Sequence, residues 1–110
     1  MNDNRHRILR EVLRNYLTFE SYCQQYGTFM IEHKGIELSF LDLQNCLKKL
    51  SPRKREAVKY NVIFDMKQKD VAAIMGITTV SVGQYVDQGC TQLAEMYFAE
   101  EAENSPILEE

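Results

Sequence analysis

The sequence predicts an all-α fold, a helical bundle with a C-terminal helix-turn-helix and a long amphipathic N-terminal helix. Three observations lead there. Apolar residues recur at helical period through most of the chain. Only two prolines, Pro52 and Pro106, and five glycines punctuate 110 residues, too few for a turn-rich β fold. Gly76 separates two helical segments whose apolar residues suit one shared core. With 45% apolar residues a core can form, although a chain this short buries a modest share of its surface and would gain from a second subunit or a partner.

The first element predicted is a helix over residues 4–26. Ile8, Leu9, Val12, Leu13, Tyr16 and Leu17 make one stripe, which runs on through Phe19, Tyr22, Cys23 and Tyr26, with Arg7, Arg10, Glu11 and Arg14 opposite and Gly27 as the stop. Residues 28–38 read as a connection with Gly35 as its flexible point and a short helical or extended turn at Phe29 to Ile31. A second helix spans residues 39–50, capped by Ser39 with Asp42 three residues on, and puts Phe40, Leu43, Leu47 and Leu50 on one face. A third spans residues 52–65, with Ser51 to cap it and Pro52 at its first position, where a missing N–H costs nothing; Ala57, Val58, Val62 and Ile63 face inward. Short and long helices follow over 68–75 and 79–100, and residues 104–110, with Asn104, Ser105 and Pro106, are expected to fray. The organisation expected is a helical extension over residues 1–37 for docking or oligomerisation, a helix-turn-helix domain over 38–100 and an acidic flexible tail over 101–110.

The net charge of −3 conceals a segregated pattern. Residues 48–93 carry eight basic against four acidic side chains, whereas residues 94–110 carry six glutamates and no base. A basic middle suits a nucleic-acid partner; solvated helix faces would give the same count. Cys23, Cys46 and Cys90 are odd in number and lie far apart, and His6 and His33 lie far from them, so reduced thiols and no metal site are expected. With no Gly-rich phosphate loop and no nucleophile–base pair, the chain is not expected to be an enzyme, and neither catalytic residues nor a cofactor are assigned. A polar N-terminus and the lack of a long apolar run predict a cytoplasmic protein without membrane contact.

The stretch Asp70-Val71-Ala72-Ala73-Ile74-Met75-Gly76-Ile77-Thr78-Thr79-Val80-Ser81-Val82 has helix-turn-helix grammar. Ala72 is small where helices cross, Gly76 supplies a positive φ, Ile77 plugs the turn and Thr78 or Thr79 caps the next helix. Val82 is expected to pack back on Val71 and Ile74, leaving the outer face of that helix for a DNA major groove.

Residues 50–93 resemble region 4 of the sigma-70 family and phage-encoded activators of that type. Leu50-Ser51-Pro52-Arg53-Lys54-Arg55-Glu56-Ala57-Val58 looks like the family's opening, and Lys69 to Thr78 looks like its acidic-aliphatic-Ala-x-x-aliphatic-Gly core. Val82, Tyr85, Gly89, Cys90 and Leu93 fall at the family's apolar spacing. The resemblance implies a helix that reads promoter or operator DNA through Thr79, Val80, Ser81, Gly83 and Gln84, with Lys67, Lys69 and the cluster of Arg53 and Arg55 on the backbone. It also implies docking on RNA polymerase. The chain departs from the family in having Gly83, Asp87, Gln88, Thr91 and Gln92 where arginine or lysine is frequent, so intrinsic affinity for double-stranded DNA should be weak. A homodimer through the N-terminal helix, or tethering to RNA polymerase, would compensate. The large regions of a full sigma factor are missing from this sequence, and a small regulator is expected. The alternative reading is a protein-interaction module, binding polymerase, a sigma factor or its own copy, that keeps the fold with little DNA affinity.

Overall fold

A computed structural model describes residues 3–103 as six helices and a small hairpin: α1 (Asp3–Arg14), α2 (Tyr16–Tyr26), β1 (Met30–His33), β2 (Ile36–Ser39), α3 (Phe40–Lys49), α4 (Pro52–Val58) with a π turn (Lys59–Ile63), α5 (Gln68–Met75) and α6 (Thr79–Glu103). The frayed end expected over residues 104–110 lies outside the described residues, as does most of the expected acidic tail.

The single helix expected over residues 4–26 is two helices. Asn15 leaves the helical basin (φ −109°, ψ 22°), and its side-chain amide donates to the Glu11 carbonyl at 2.9 Å, the carbonyl that its own N–H also reaches at 3.1 Å. Asparagine breaks helices by this competition with the backbone. The break divides the stripe. Ile8, Leu9, Val12 and Leu13 of α1 are buried, the last three in the common core, whereas α2 buries Cys23 and leaves Leu17, Tyr22 and Tyr26 exposed. Each buried aliphatic side chain contributes on the order of 1.5–3 kcal/mol. The Arg10–Asp87 ion pair (3.3 Å), by which α1 also touches α6, is partly exposed and is worth about 0.2–1 kcal/mol. Apolar burial therefore holds α1 in place and sets which face turns inward, and the ion pair adds a minor contact.

The connection expected over residues 28–38 is a β-hairpin. Its register pairs Met30 with Ser39, Ile31 with Leu38, Glu32 with Glu37 and His33 with Ile36, so Ile31 and Leu38 point into the core and the glutamates point out. Lys34 (φ 53°) and Gly35 (φ 81°) make the two-residue turn with consecutive positive φ that the twist of a hairpin favours. Lysine is an uncommon residue there, and an ionic lock accompanies it. Glu11 of α1 accepts from Lys34 Nζ and from His33 Nε2, each at 2.9 Å. The hairpin leads directly into α3: Ser39 is its last strand residue and also the helix cap, its hydroxyl accepting from the Asp42 N–H at 3.2 Å. The Ser39 N–H itself donates to the hydroxyl of buried Tyr97 at 2.7 Å, which fastens hairpin and α3 to the far part of α6.

The helix expected over residues 52–65 keeps α geometry only to Val58, then widens into the π turn and ends at Ile63. Asp65 (φ 57°) closes it in the left-handed region, and the Asn61 amide donates to the Met66 carbonyl at 2.9 Å. Pro52 occupies the first turn as expected, but the Ser51 hydroxyl makes no capping bond; the Ser51 carbonyl accepts from the Arg55 N–H instead. Ala57, Val58, Val62 and Ile63 face inward. Helix α6 runs through the middle, burying Val82, Val86, Leu93, Ala94 and Tyr97 against α1, α3, α4 and α5. At Gly89 it crosses α4 so closely that an added Cβ would lie 2.8 Å from Val58 Cγ2. Cys23, Cys46 and Cys90 are buried, and no disulfide joins them.

This packing makes two predictions. A Gly89→Ala variant should lose about 1–3 kcal/mol in denaturant unfolding, because a branched Val58 in a filled core has no room to retreat, and Val58→Ala should recover part of that loss. The second concerns acid. The Lys34 ammonium first, then the His33 imidazole, hold the Glu11 carboxyl below its ordinary range. A carboxyl lowered on folding stabilises at pH above its unfolded pKa and loses that contribution as pH falls through the lowered value. Thermal melts from neutrality down into the acid range should therefore fall less steeply for Glu11→Gln than for the parent.

Candidate nucleic-acid interface

The bend between α5 and α6 is built by three adjacent residues. Gly76 ends α5 in the left-handed region (φ 70°, ψ 36°), with its N–H on the Ala72 carbonyl. The Ile77 N–H also reaches the Ala72 carbonyl at 3.1 Å, and its side chain packs against the core as the expected plug. Of the two threonines proposed as cap, Thr78 performs the task. Its hydroxyl oxygen accepts from the Ser81 N–H at 3.1 Å, and the hydroxyl in turn donates to Ser81 Oγ at 3.0 Å. Val82 and Val71 are both fully buried, as expected, but Ile74 is 54% exposed. Helix α5 turns Val71, Ala72 and Met75 inward, an i, i+1, i+4 face, and Met75 fills the place expected of Ile74.

The outer face of α6 starts with Thr79 and with Val80, which at 70% is the most exposed large apolar side chain among the described residues. Gln84 follows one turn later, then Gln88 and Thr91, all exposed. Ser81 is half-buried with its hydroxyl engaged by Thr78. Gly83 faces the Gln68 side chain, whose amide atoms would lie 3.7 Å from an added Cβ, so this position gives clearance between α5 and α6. Of the five residues expected in the groove, Thr79, Val80 and Gln84 are the ones turned outward.

The basic residues divide by surroundings. Lys67 and Lys69 are exposed at the start of α5. Arg53 donates to the Met75 carbonyl at 3.3 Å, at the C-terminal end of α5. Arg55 donates to the carbonyls of Lys48 (2.9 Å) and Leu50 (3.4 Å), where α3 ends. Both guanidiniums thus meet the negative ends of helices, where cations are favoured and unpaired carbonyls need donors. Lys54, between them in sequence, borders a shallow depression with Asp87, Gln88, Thr91 and Gln92. Asp87 also pairs with Arg10 of α1, and Arg10 and Arg14 both lie near the thiol of Cys90, whose pKa burial pushes up. Neither arginine is among the residues the sequence predicts at the site; their spacing with Arg7 at i, i+3 and i+7 on the solvent side of α1 is the signal that could have found them. Among the described residues no group of three or more His, Cys, Asp or Glu side chains is arranged to hold a metal, and no helix is long and apolar enough to cross a membrane.

A prediction tests the bend. Nothing lies within 4 Å of a Cβ built at Gly76, so Gly76→Ala should lose about 1–2 kcal/mol from backbone strain alone, and Gly76→Asn distinctly less, as read by thermal unfolding of the pair.

Compared with known proteins, residues 40–93 match the family model described as sigma-70, region 4. The match begins at the first residue of α3 and ends in the middle of α6, so it contains the whole bend and leaves α1, α2 and the hairpin outside. No curated protein and no solved structure matches the chain.

Proposed function

We propose that this chain, whose residues 40–93 form a sigma-70 region 4-like helix-turn-helix, is a small transcription regulator that reads promoter or operator DNA and acts with RNA polymerase. A region 4 unit is a DNA-binding, non-catalytic element of the transcription machinery, and that is the coarse class of the matched segment. The finer reading is carried by one observation: the bend at Gly76 leaves Thr79, Val80 and Gln84 exposed on the first turns of α6. A glutamine amide pairs bidentately with the N6 and N7 edge of adenine, an exposed valine suits a thymine methyl, and a threonine hydroxyl accepts or donates. Exposed Lys67 and Lys69 at the start of α5 suit backbone phosphates. The setting is the cytoplasm of a bacterial cell, with a phage-encoded origin as one form of the same reading.

A second observation favours the interaction-module reading beside it. A groove of about 430 Å³ runs between α2, α3 and the π turn, with Leu17, Leu47, Ile63 and Phe64 in its apolar lining and three cations, Lys48, Arg55 and Lys59, against one acid, Glu20. An apolar groove with cationic edges suits an amphipathic acidic helix of RNA polymerase. The surface for self-association in this reading is α2, through exposed Leu17, Tyr22 and Tyr26, since the apolar face of α1 is already used.

The test uses the full chain with duplexes selected from a randomised pool. Binding in a mobility-shift series should weaken steeply as salt rises, and Gln84→Ala should lose roughly tenfold on the selected duplex with little change on a random one. Absence of any shift at low salt, with a stable complex to purified core RNA polymerase that Phe64→Glu abolishes, would replace the DNA-reading function by the interaction module.

A further inference from the structure

The outer face of α6 is short of cations, and the fold offers them from an element outside the matched segment. Residues 83, 87 and 90 lie at i, i+4 and i+7, on one flank of α6. Gly83 abuts Gln68 at the start of α5, Asp87 pairs with Arg10 of α1, and Cys90 lies near Arg10 and Arg14. The start of α5 and helix α1 therefore run one after the other along the same flank. They also meet: Arg14 and Lys67 line one cleft, of about 210 Å³, with Asn61, Asp65 and Met66.

We infer that α1 is a backbone clamp for the DNA lying on α6, with Arg14 beside Lys67 and Arg7 further along the helix facing the phosphates of one strand. This rests on the DNA-reading function proposed above and adds to it the residues that hold the duplex. Arg7 and Arg14 are two helical turns apart on one face, roughly 10 Å at 1.5 Å per residue. That distance spans two to three phosphates of a strand. Both side chains are exposed, and Arg7 donates to Asn4 on its own helix. Arg10, between them, pairs with Asp87 of α6. Asp65 sets one carboxylate into the cleft against two cations, which leaves the cleft positive. Lys67 precedes α5, so a phosphate there also meets the N–H groups that open that helix.

Phosphate binding is indifferent to sequence, so the experiment needs no knowledge of the target. Full-length protein is titrated onto a fluorescein-labelled mixed-sequence duplex of about three helical turns, with anisotropy read across a range of salt. The slope of log affinity against log salt should fall by about one for each phosphate that the protein no longer neutralises. The double variant Arg7→Gln/Arg14→Gln should lower the slope by about two and weaken binding at low salt by at least tenfold. It should do so equally on the selected duplex, so that the preference for that duplex is kept. Arg7→Lys/Arg14→Lys should restore the slope, which a purely structural role for the arginines would not do. Circular dichroism and thermal melts establish that each variant folds as the parent does. A double glutamine variant with the parent's slope and affinity, while Gln84→Ala still loses the selected duplex, overturns the clamp and leaves the reading function standing. A parent chain with no anisotropy change at low salt overturns both.

Discussion

Helix α6 must do two things with one cylinder, and the rest of the molecule is arranged to allow it. One side buries Val82, Val86, Leu93, Ala94 and Tyr97 among four other helices. The opposite side has to stay free over its first turns, from Val80 to Thr91. Both conditions hold because the bundle closes around α6 from the inner half only. The crossing at Gly89 brings α4 as near as a backbone without a side chain permits, and Gly83 does the same more loosely for α5. A bulkier residue at either point would move a neighbouring helix outward and alter the angle at which the free side is offered.

The helix ends follow a similar logic. Arginines of a region 4-like opening read naturally as DNA contacts, because arginine is the usual partner of phosphate. Here Arg53 and Arg55 donate to carbonyls where α5 and α3 stop. An end of α5 held by Arg53 keeps the Gly76 bend in register, so that guanidinium supports the reading helix from behind. The short Arg55 bond is exposed and the part-buried ones are long, so each contributes on the order of 1 kcal/mol, but together they engage both guanidiniums. These two side chains are therefore better described as props of the geometry than as free cations.

How much of this is legible in the residues depends on whether local pattern or distant contact decides the outcome. The bend is legible, since a glycine between two apolar segments and a threonine three residues before Ser81 are local devices with one simple geometry. Ser39 with Asp42 is legible for the same reason. Asn15 escapes because the apolar stripe continues across it in helical period, and only the side-chain bond to the Glu11 carbonyl distinguishes a break from a tolerated polar residue. The hairpin escapes because its strands are four residues each, and alternation over Met30 to His33 is too brief to outweigh a loop reading. Its stability comes from afar, from Glu11 at the turn and Tyr97 at the open end, neither of which a window of sequence can register. Ile74 is hard to tell from Met75 because both lie within reach of an inward face on an eight-residue helix. The docking of α6 selects the rotation.

The distant contacts also explain why a chain of net charge −3 is compatible with a polyanionic partner. What a duplex meets is the potential on one side of the molecule, because charges farther than about 10 Å are screened at ordinary salt. Six glutamates follow residue 93 in the sequence, whereas Lys67 and Lys69 open α5, Arg14 lines the same cleft as Lys67, and Arg10 pairs with Asp87 in the first half of α6. Asp87 on the exposed side of α6 would repel a phosphate, as would Asp65 in the cleft of Arg14 and Lys67. The pairing of Asp87 with Arg10 of α1 offsets part of its charge. A neutral reading face beside cations borne on a separate helix has a definite consequence. In the proposed function, affinity and base preference reside on different elements, so each would change by substitution without disturbing the other.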